Sequence, residues 1–459
     1  AMNASSHHNG SFWFDELGID PQPDPEPLPA RTDVAIVGGG YTGLWTAYYL
    51  KRAEPGLDVT VFEADVAGFG ASGRNGGWCM GAAWGTESLL ANPETRSRGL
   101  ALQRALFDTV DEVGRVTQAE NIDCHFARGG TLRIATAPFM VERHRREIDE
   151  LHALGFTEHD FRWLDADTTR TRLNVPRNHG AIHAAHCAAI QPARLVRGLA
   201  DTVRRLGVTI LEGTPVTAIR PGRVDTARGA VAAGRILRAT EAYTASLTGH
   251  RRTLLPIYSK MVVTAPLPDA LWQEIGLGNR ETFGDDRRMV IYGQRTLDGR
   301  LAFGGRAGYE FGSRRRRTLP PDDPDFDGIV RTLRGLVPQL AEVPITHRWG
   351  GVLGVPRHWR PCVQFDRRSG LGWAGGYVGE GVAAANLAAR MLTDLVLERD
   401  SALTALPWVD DVPPRWEPEP LRWLGVRAIR AIGARADWIE LNRQRPSRFW
   451  GGLFQRLTG

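Results

Sequence analysis

The sequence predicts a two-domain α/β protein: a Rossmann-like nucleotide-binding domain joined to a second domain with an antiparallel sheet and flanking helices. Three observations predict it. A glycine run, Gly38-Gly39-Gly40, separates a short apolar stretch from a helical pattern. A block of strand-like alternation occupies about 257–310, far downstream. A second passage from strand through glycines to helix begins at Leu371. At 459 residues the chain is long enough for two or three domains, each with its own core.

In order along the chain, residues 1–31 form a polar, proline-rich arm that includes Pro21, Pro23, Pro25, Pro27 and Pro29. Thr32–Gly39 reads as a buried parallel strand, Tyr41–Ala53 as a helix and Asp58–Glu63 as a second strand, which together make a βαβ unit. Charged helical stretches follow at roughly 86–118 and 138–153. Gln191–Leu206 is an amphipathic helix and Val208–Ile219 a strand. The block at about 257–310 alternates like paired strands, with a turn at Asp298-Gly299. Leu371–Gly376 is strand-like, and Glu380–Leu397 is a helix of small residues.

Composition excludes several classes. Hydrophobic content of 42% and charged content of 24% are ordinary for a globular protein. No apolar run reaches the ~18–20 residues that span a bilayer. The opening, Ala1 to Gly10, lacks the basic-then-apolar pattern of a secretion signal, so the expected location is cytoplasmic. Cys79, Cys124, Cys187 and Cys362 are scattered with no C-x-x-C pair, which argues against a disulfide framework or a zinc site; no metal is expected. Lys51 and Lys260 are the only lysines, and the net charge of +5 is dispersed, which speaks against nucleic-acid binding.

Gly38-Gly39-Gly40-Tyr41-Thr42-Gly43 is a G-x-G-x-x-G placed after a strand and opening a helix. In such a loop Gly38 permits the tight turn, Gly40 lets the backbone approach a pyrophosphate, and Gly43 lets helix and strand pack closely. The helix start offers unpaired N–H groups and partial positive charge to phosphates. Glu63 lies twenty residues past Gly43 at the next strand's end, where an acid binds the adenosine ribose. The residues alone leave open which dinucleotide binds.

A second glycine-rich stretch, Gly68-Phe69-Gly70-Ala71-Ser72-Gly73-Arg74-Asn75-Gly76-Gly77, follows just past the acid. With Ile36–Leu50 it resembles the D-amino-acid oxidase/glycine oxidase family of flavoproteins, within it the branch of gamma-glutamylputrescine oxidases and putative aminophosphonate oxidoreductases. The resemblance implies noncovalently bound FAD, with Ala71, Ser72, Gly73, Gly76 and Gly77 running under its pyrophosphate toward the flavin. It also implies backbone contacts from Val216 to the adenine. Gln191-Pro192-Ala193-Arg194-Leu195 resembles a family helix start, and Ala239–Thr244 a family signature in which Glu241 stands where asparagine is commoner. In Trp373–Asn386, with Gly376, Gly379, Gly381 and Val382, a helix start returns to the cofactor, and its dipole favours negative charge on a reduced flavin. The implied division is an FAD-binding domain of 12–90, 175–245 and 345–459, and a substrate domain of 91–174 and 246–344.

Met289–Gly293 resembles the strand that carries an active-site tyrosine in sarcosine oxidases, so Tyr292 is the candidate on the substrate face. Arg306, after Gly304-Gly305, is a candidate clamp for a carboxylate or phosphonate. Lys260 is the only lysine in the substrate half and a candidate catalytic group. Three departures stand out. The carboxylate-gripping lysine of sarcosine oxidases falls near Ala383, their oxygen-activating lysine near Phe303–Arg306, and their flavin-linking cysteine near Trp349-Gly350. His358 and Arg360 read as ordinary loop residues. The basic tail Leu421–Leu457, rich in Arg and Trp, is expected to pack on its own protein in preference to a membrane.

The leading expectation is oxidation of a C–N bond in a small amine or amino acid, giving an imine and then an aldehyde or keto acid, with hydrogen peroxide from oxygen. A same-fold dehydrogenase passing electrons to a quinone is the second reading, and a tRNA-modifying flavoprotein domain the third.

Overall fold

A computed structural model describes residues 10–23 and 26–458; the polar opening up to Asn9, and Pro25 of the arm, lie outside them. Two large sheets organise the chain. In the first, the strands run in the order Cys362–Asp366, Leu371–Gly375, Gly229–Arg238, Arg31–Val37, Val59–Phe62 and Thr209–Leu211. Arg31–Val37 lies at its centre, parallel to Gly229–Arg238 on one side and to Val59–Phe62 on the other. Val34 to Val37 are buried, as they must be in a parallel strand covered on both faces. The helix Tyr41–Ala53 has the bounds expected from sequence, and it packs on Gly381–Val396 and Pro192–Arg205.

Two expected elements are broken. The helical stretch 86–118 divides into Thr86–Ala91 and Arg96–Ala119 around Pro93, which has no N–H to continue a helix. The run Val208–Ile219 divides as well. Thr209–Leu211 joins the parallel sheet, whereas Val216–Arg220 pairs with Arg223–Thr226 after a turn containing Gly213, at φ +60°, and Pro215.

The second sheet runs Ile345–Val355, Leu255–Thr264, Leu301–Arg306, Ile291–Arg295, Thr282–Asp285, Thr131–Ile134, Ala181–Ala184 and Phe161–Leu164. It is antiparallel except between Thr282–Asp285 and Thr131–Ile134. Gly299, at φ +77°, turns the chain between Ile291–Arg295 and Leu301–Arg306, and a helix, Asp269–Ile275, interrupts the alternating block. Helix Pro324–Leu336 covers one face, burying Phe326, Val330 and Leu333 against Val262, Leu301 and Phe303.

The sheets divide the chain differently from the expected domain bounds. Ala181–Ala184 and Ile345–Val355, expected in the nucleotide-binding domain, are strands of the second sheet. Helix Arg96–Ala119, expected in the substrate domain, buries Leu102, Leu106, Val110, Val113 and Val116 in the core beneath Tyr41–Ala53. A strand's pattern records burial but not which sheet it will join, because pairing partners are distant in sequence.

The tail forms helices Leu421–Arg443 and Arg448–Thr458 and packs on the second sheet's side of the molecule. Arg288 and Met289 donate their backbone N–H groups to the Asp437 carboxylate at 3.0 and 2.9 Å. The Arg288 guanidinium pairs with Asp437 and with Glu440, at 3.2 and 2.9 Å. Leu421, Leu424, Trp438 and Phe449 remain exposed. No described helix is long and apolar enough to cross a membrane.

Candidate active site

The glycine loop is shaped by contacts that tolerate no side chain. Gly38 sits at φ +115° and donates its N–H to Phe62 at 2.8 Å. A Cβ on Gly43 would lie 2.0 Å from the Gly38 carbonyl oxygen, so helix and strand touch only because both residues are glycine. Gly40 caps the helix Tyr41–Ala53. Glu63 binds this loop from the adjacent strand: Gly39 and Asp65 donate N–H groups to its two oxygens at 2.8 and 2.9 Å.

The second glycine stretch meets the first. Ala71–Gly73 is one turn of 3₁₀ helix, and the Tyr41 N–H donates to the Ser72 hydroxyl at 2.9 Å. Arg74, buried, donates to the Phe69 carbonyl at 2.7 Å and the Gly350 carbonyl at 3.1 Å, pinning this loop to the second sheet. Gly76 lies against the Tyr292 ring, and Gly77, at φ +72°, against Gln294.

Between the two sheets opens a cavity of roughly 1300 Å³, counting its mouth. Tyr41, Thr42, Ala71, Ser72 and Gly76 line one side, and Gly379, Gly381 and Val382, at the start of helix Gly381–Val396, line another. The lining combines two helix N-termini with backbone that accepts close approach. These residues fit a flavin. Gly38, Gly40, Gly43, Glu63, Val216 and Gly376 do not line this cavity. The first four shape the glycine loop beside it, and Val216 opens the hairpin strand beyond Glu63.

Glu241 is the main residue whose importance its position in sequence did not reveal. Its carboxylate accepts N–H bonds from Gly354 at 2.9 Å, Gly376 at 2.6 Å and Tyr377 at 3.3 Å. It thus ties the edge strand of the second sheet to the loop before helix Gly381–Val396. Burial raises its pKa to about 7, against these hydrogen bonds and the Arg238 charge, which pull it down. Burial likewise raises Glu63 to about 7. A carboxyl raised in this way binds its proton more tightly folded than unfolded, where the value is about 4.3. The stability it contributes is full below pH ~4.3 and is lost as the pH rises through about 7, with a slope of at most about 1.4 kcal/mol per pH unit. Glu241→Gln is therefore expected to flatten the decline in melting temperature between pH 5 and 8. An unchanged slope would show that Glu241 titrates alike in both states.

At the far side of the cavity the second sheet presents Tyr292, whose hydroxyl hydrogen-bonds the Ser259 hydroxyl. Arg306, from the neighbouring strand, donates to the Val378 carbonyl at 3.0 Å and lies over the Trp84 and Trp359 rings at 5.1 and 5.9 Å. Val378 and Trp359 hold φ of +57° and +60°. A β-branched residue in that region is strained, and here the strain presents a carbonyl to Arg306. Glu380 and Trp78 complete this end of the cavity; of these four side chains, only Tyr292 and Arg306 were expected from sequence.

Lys260 requires a correction. Adjacent residues of a strand face opposite sides of the sheet, so while Ser259 faces Tyr292, Lys260 points to the other face. There its ammonium pairs with Asp323 and Asp325, each at 2.7 Å, and it does not line the cavity. It is a structural ion pair under helix Pro324–Leu336. Ala383 is buried within its helix, His358 and Arg360 both engage Asp411, and Cys362 is buried in its strand away from the cavity.

The profile of the family described as FAD-dependent oxidoreductase (DAO) matches residues 33–395. The chain is 32% identical over 412 residues to a probable oxidoreductase OrdL of Rhizobium meliloti (strain 1021), covering 86% of this chain and 90% of that one. It is 31% identical over 388 residues to the gamma-glutamylputrescine oxidoreductase of Escherichia coli (strain K12), covering 82% and 86%. Among solved structures, glycine oxidase from Geobacillus kaustophilus superposes with a TM-score of 0.69 at 20% identity, over 83% of this chain and 98% of the other.

Proposed function

Because the chain belongs to the DAO family of FAD-dependent oxidoreductases, which act on amines or amino acids, we propose that it oxidises the C–N bond of a small amine bearing an anionic group, with oxygen as acceptor. The observation that carries this reading is one cavity that joins the flavin-sized space between two helix starts to the Arg306–Tyr292 face of the second sheet. The relative named for gamma-glutamylputrescine supports an amine of this kind.

The chemistry a bound FAD supplies is acceptance of a hydride from the carbon bearing the nitrogen, with onward transfer of the electron pair. The residues do the rest. Arg306, its guanidinium over the Trp84 ring, presents N–H donors to an anion at the substrate's far end. Tyr292 and Ser259 supply a paired hydroxyl on the same wall. Trp78 and Trp84 give this end of the cavity an aromatic lining. The N–H groups at the start of helix Gly381–Val396 favour negative charge at the opposite end.

Purified protein is expected to be yellow and to release FAD into the supernatant on acid or heat precipitation. The four cysteines are buried, and the position beside Trp349 is Gly350. Flavin that stays with the precipitate would overturn noncovalent binding. A panel of amines, amino acids and aminophosphonates, assayed for peroxide release, tests the function. Flavin bleaching without peroxide would leave the C–N oxidation standing and transfer the acceptor role to a quinone.

A further inference from the structure

The cavity holds a charged group that the reading above does not use. Glu380, between Gly379 and Gly381, lines the same wall as Arg306, and among the described residues nothing donates a hydrogen bond to its carboxylate. The buried carboxylates around the cofactor space are bonded, Glu63 by two N–H groups and Glu241 by three. Glu380, half-buried on the cavity wall, keeps both oxygens free of protein donors and so open to a cationic partner that enters the cavity. The charged and titratable groups that act on it are Arg306 from strand Leu301–Arg306, Glu87 from helix Thr86–Ala91 and, outside the cavity, Cys187 from strand Cys187–Ala189, while Tyr292 from strand Ile291–Arg295 lines the same cavity. Glu241 lies elsewhere in the same cavity, already committed to backbone.

Resting on the amine-oxidation reading, we propose that Glu380 receives the substrate's ammonium and takes its proton, so that the amine is neutral when its carbon is oxidised. The step balances within the complex: one N–H bond breaks, its electron pair stays on nitrogen, and the proton moves to a Glu380 oxygen. No oxidant is consumed. The charged forms match at both ends, Arg306 to the distal anion and Glu380 to the ammonium, and only the neutral amine leaves nitrogen's lone pair available to assist loss of hydride. Burial, reinforced by Glu87 and opposed by Arg306, raises the Glu380 pKa to about 7, so the group accepts a proton near neutrality and can return it to solvent.

The test uses flavin-loaded enzyme and tert-butylammonium, a cation with no hydrogen on the carbon bearing nitrogen and hence no route to oxidation. Its binding is read from the flavin spectrum. Wild-type enzyme at pH 8 is expected to bind it roughly ten- to a hundred-fold more tightly than Glu380→Gln, the range for a hydrogen bond between charged groups. Glu380→Asp, which keeps the charge, should recover part of the loss. Affinity of the wild type should also fall as pH drops below about 7. Equal affinity in wild type and Glu380→Gln overturns the proposal. Should Glu380→Gln fail to retain flavin, a pH-independent wild-type affinity does so instead. With an oxidisable amine, Glu380→Gln should lose kcat/KM most between about pH 7.5 and 9, where Glu380 is ionised and the amine still protonated, and regain it near pH 10, where the amine enters neutral; a loss equal at all pH values marks a structural role and rejects proton transfer. If tert-butylammonium obeys the expected pattern but no amine reduces the flavin, the ammonium site stands and the oxidation reading falls.

Discussion

Gly40→Leu is expected to yield a folded but colourless protein. A Cβ at residue 40 would lie 2.9 Å from the Ser72 hydroxyl, the atom that accepts the Tyr41 N–H and so links the two glycine stretches. The clash is with a side chain and not with backbone, so the sheet and the helix Tyr41–Ala53 survive, and the remaining leucine atoms occupy the space over the helix start. Overpacking of this kind costs about 1–3 kcal/mol, roughly ten- to a hundred-fold in FAD affinity, before the lost approach of pyrophosphate to backbone is counted. The ratio of flavin to protein absorbance measures it, with circular dichroism reporting the fold. Gly43→Ala is the contrasting case. Its Cβ meets backbone, the Gly38 carbonyl, at 2.0 Å, and the helix must be pried from the strand. That variant should lose stability as well as flavin. Full FAD occupancy in Gly40→Leu would remove this loop from the cofactor site.

Arg306→Ala is expected to raise the Michaelis constant for an anionic amine about ten- to a hundred-fold, the worth of a charge-assisted hydrogen bond of about 1.5–3 kcal/mol. A neutral amine should be affected little. The guanidinium has one described hydrogen bond, to Val378, and lies over the Trp84 and Trp359 rings, contacts that leave its remaining N–H groups available. Burial lowers its pKa from the usual guanidinium range, yet it remains a cation at any workable pH. The flavin spectrum should be unchanged. Equal losses on anionic and neutral substrates would mean that Arg306 holds the Val378 loop and touches no substrate.

The parts of this protein that could be read from sequence are those governed by local chemistry. A glycine run after an apolar stretch sets a strand, a turn and a helix whose bounds, Tyr41–Ala53, are recovered residue for residue. The second sheet was legible as a type and not as a topology, since Ala181–Ala184 and Ile345–Val355 find partners far away along the chain. Lys260 shows the limit within one strand. Its neighbour Ser259 faces the cavity, and a register offset of a single residue separates an active-site wall from an ion pair on the opposite face. Glu380 could be seen only as part of a helix start, because the space it enters is assembled from many separated stretches of chain. The one signal was an acid between two glycines at that start.

The clasp of helix Leu421–Arg443 on Arg288 gives the far end of the chain a hold on catalysis. Arg288 and Met289, gripped by Asp437 and Glu440, lead directly into Val290 and Ile291, which line the cavity. Substrate preference is therefore adjustable from outside the cavity. Substitutions at 437 and 440 are expected to shift one wall without altering any residue that meets the ligand, a route open to directed evolution.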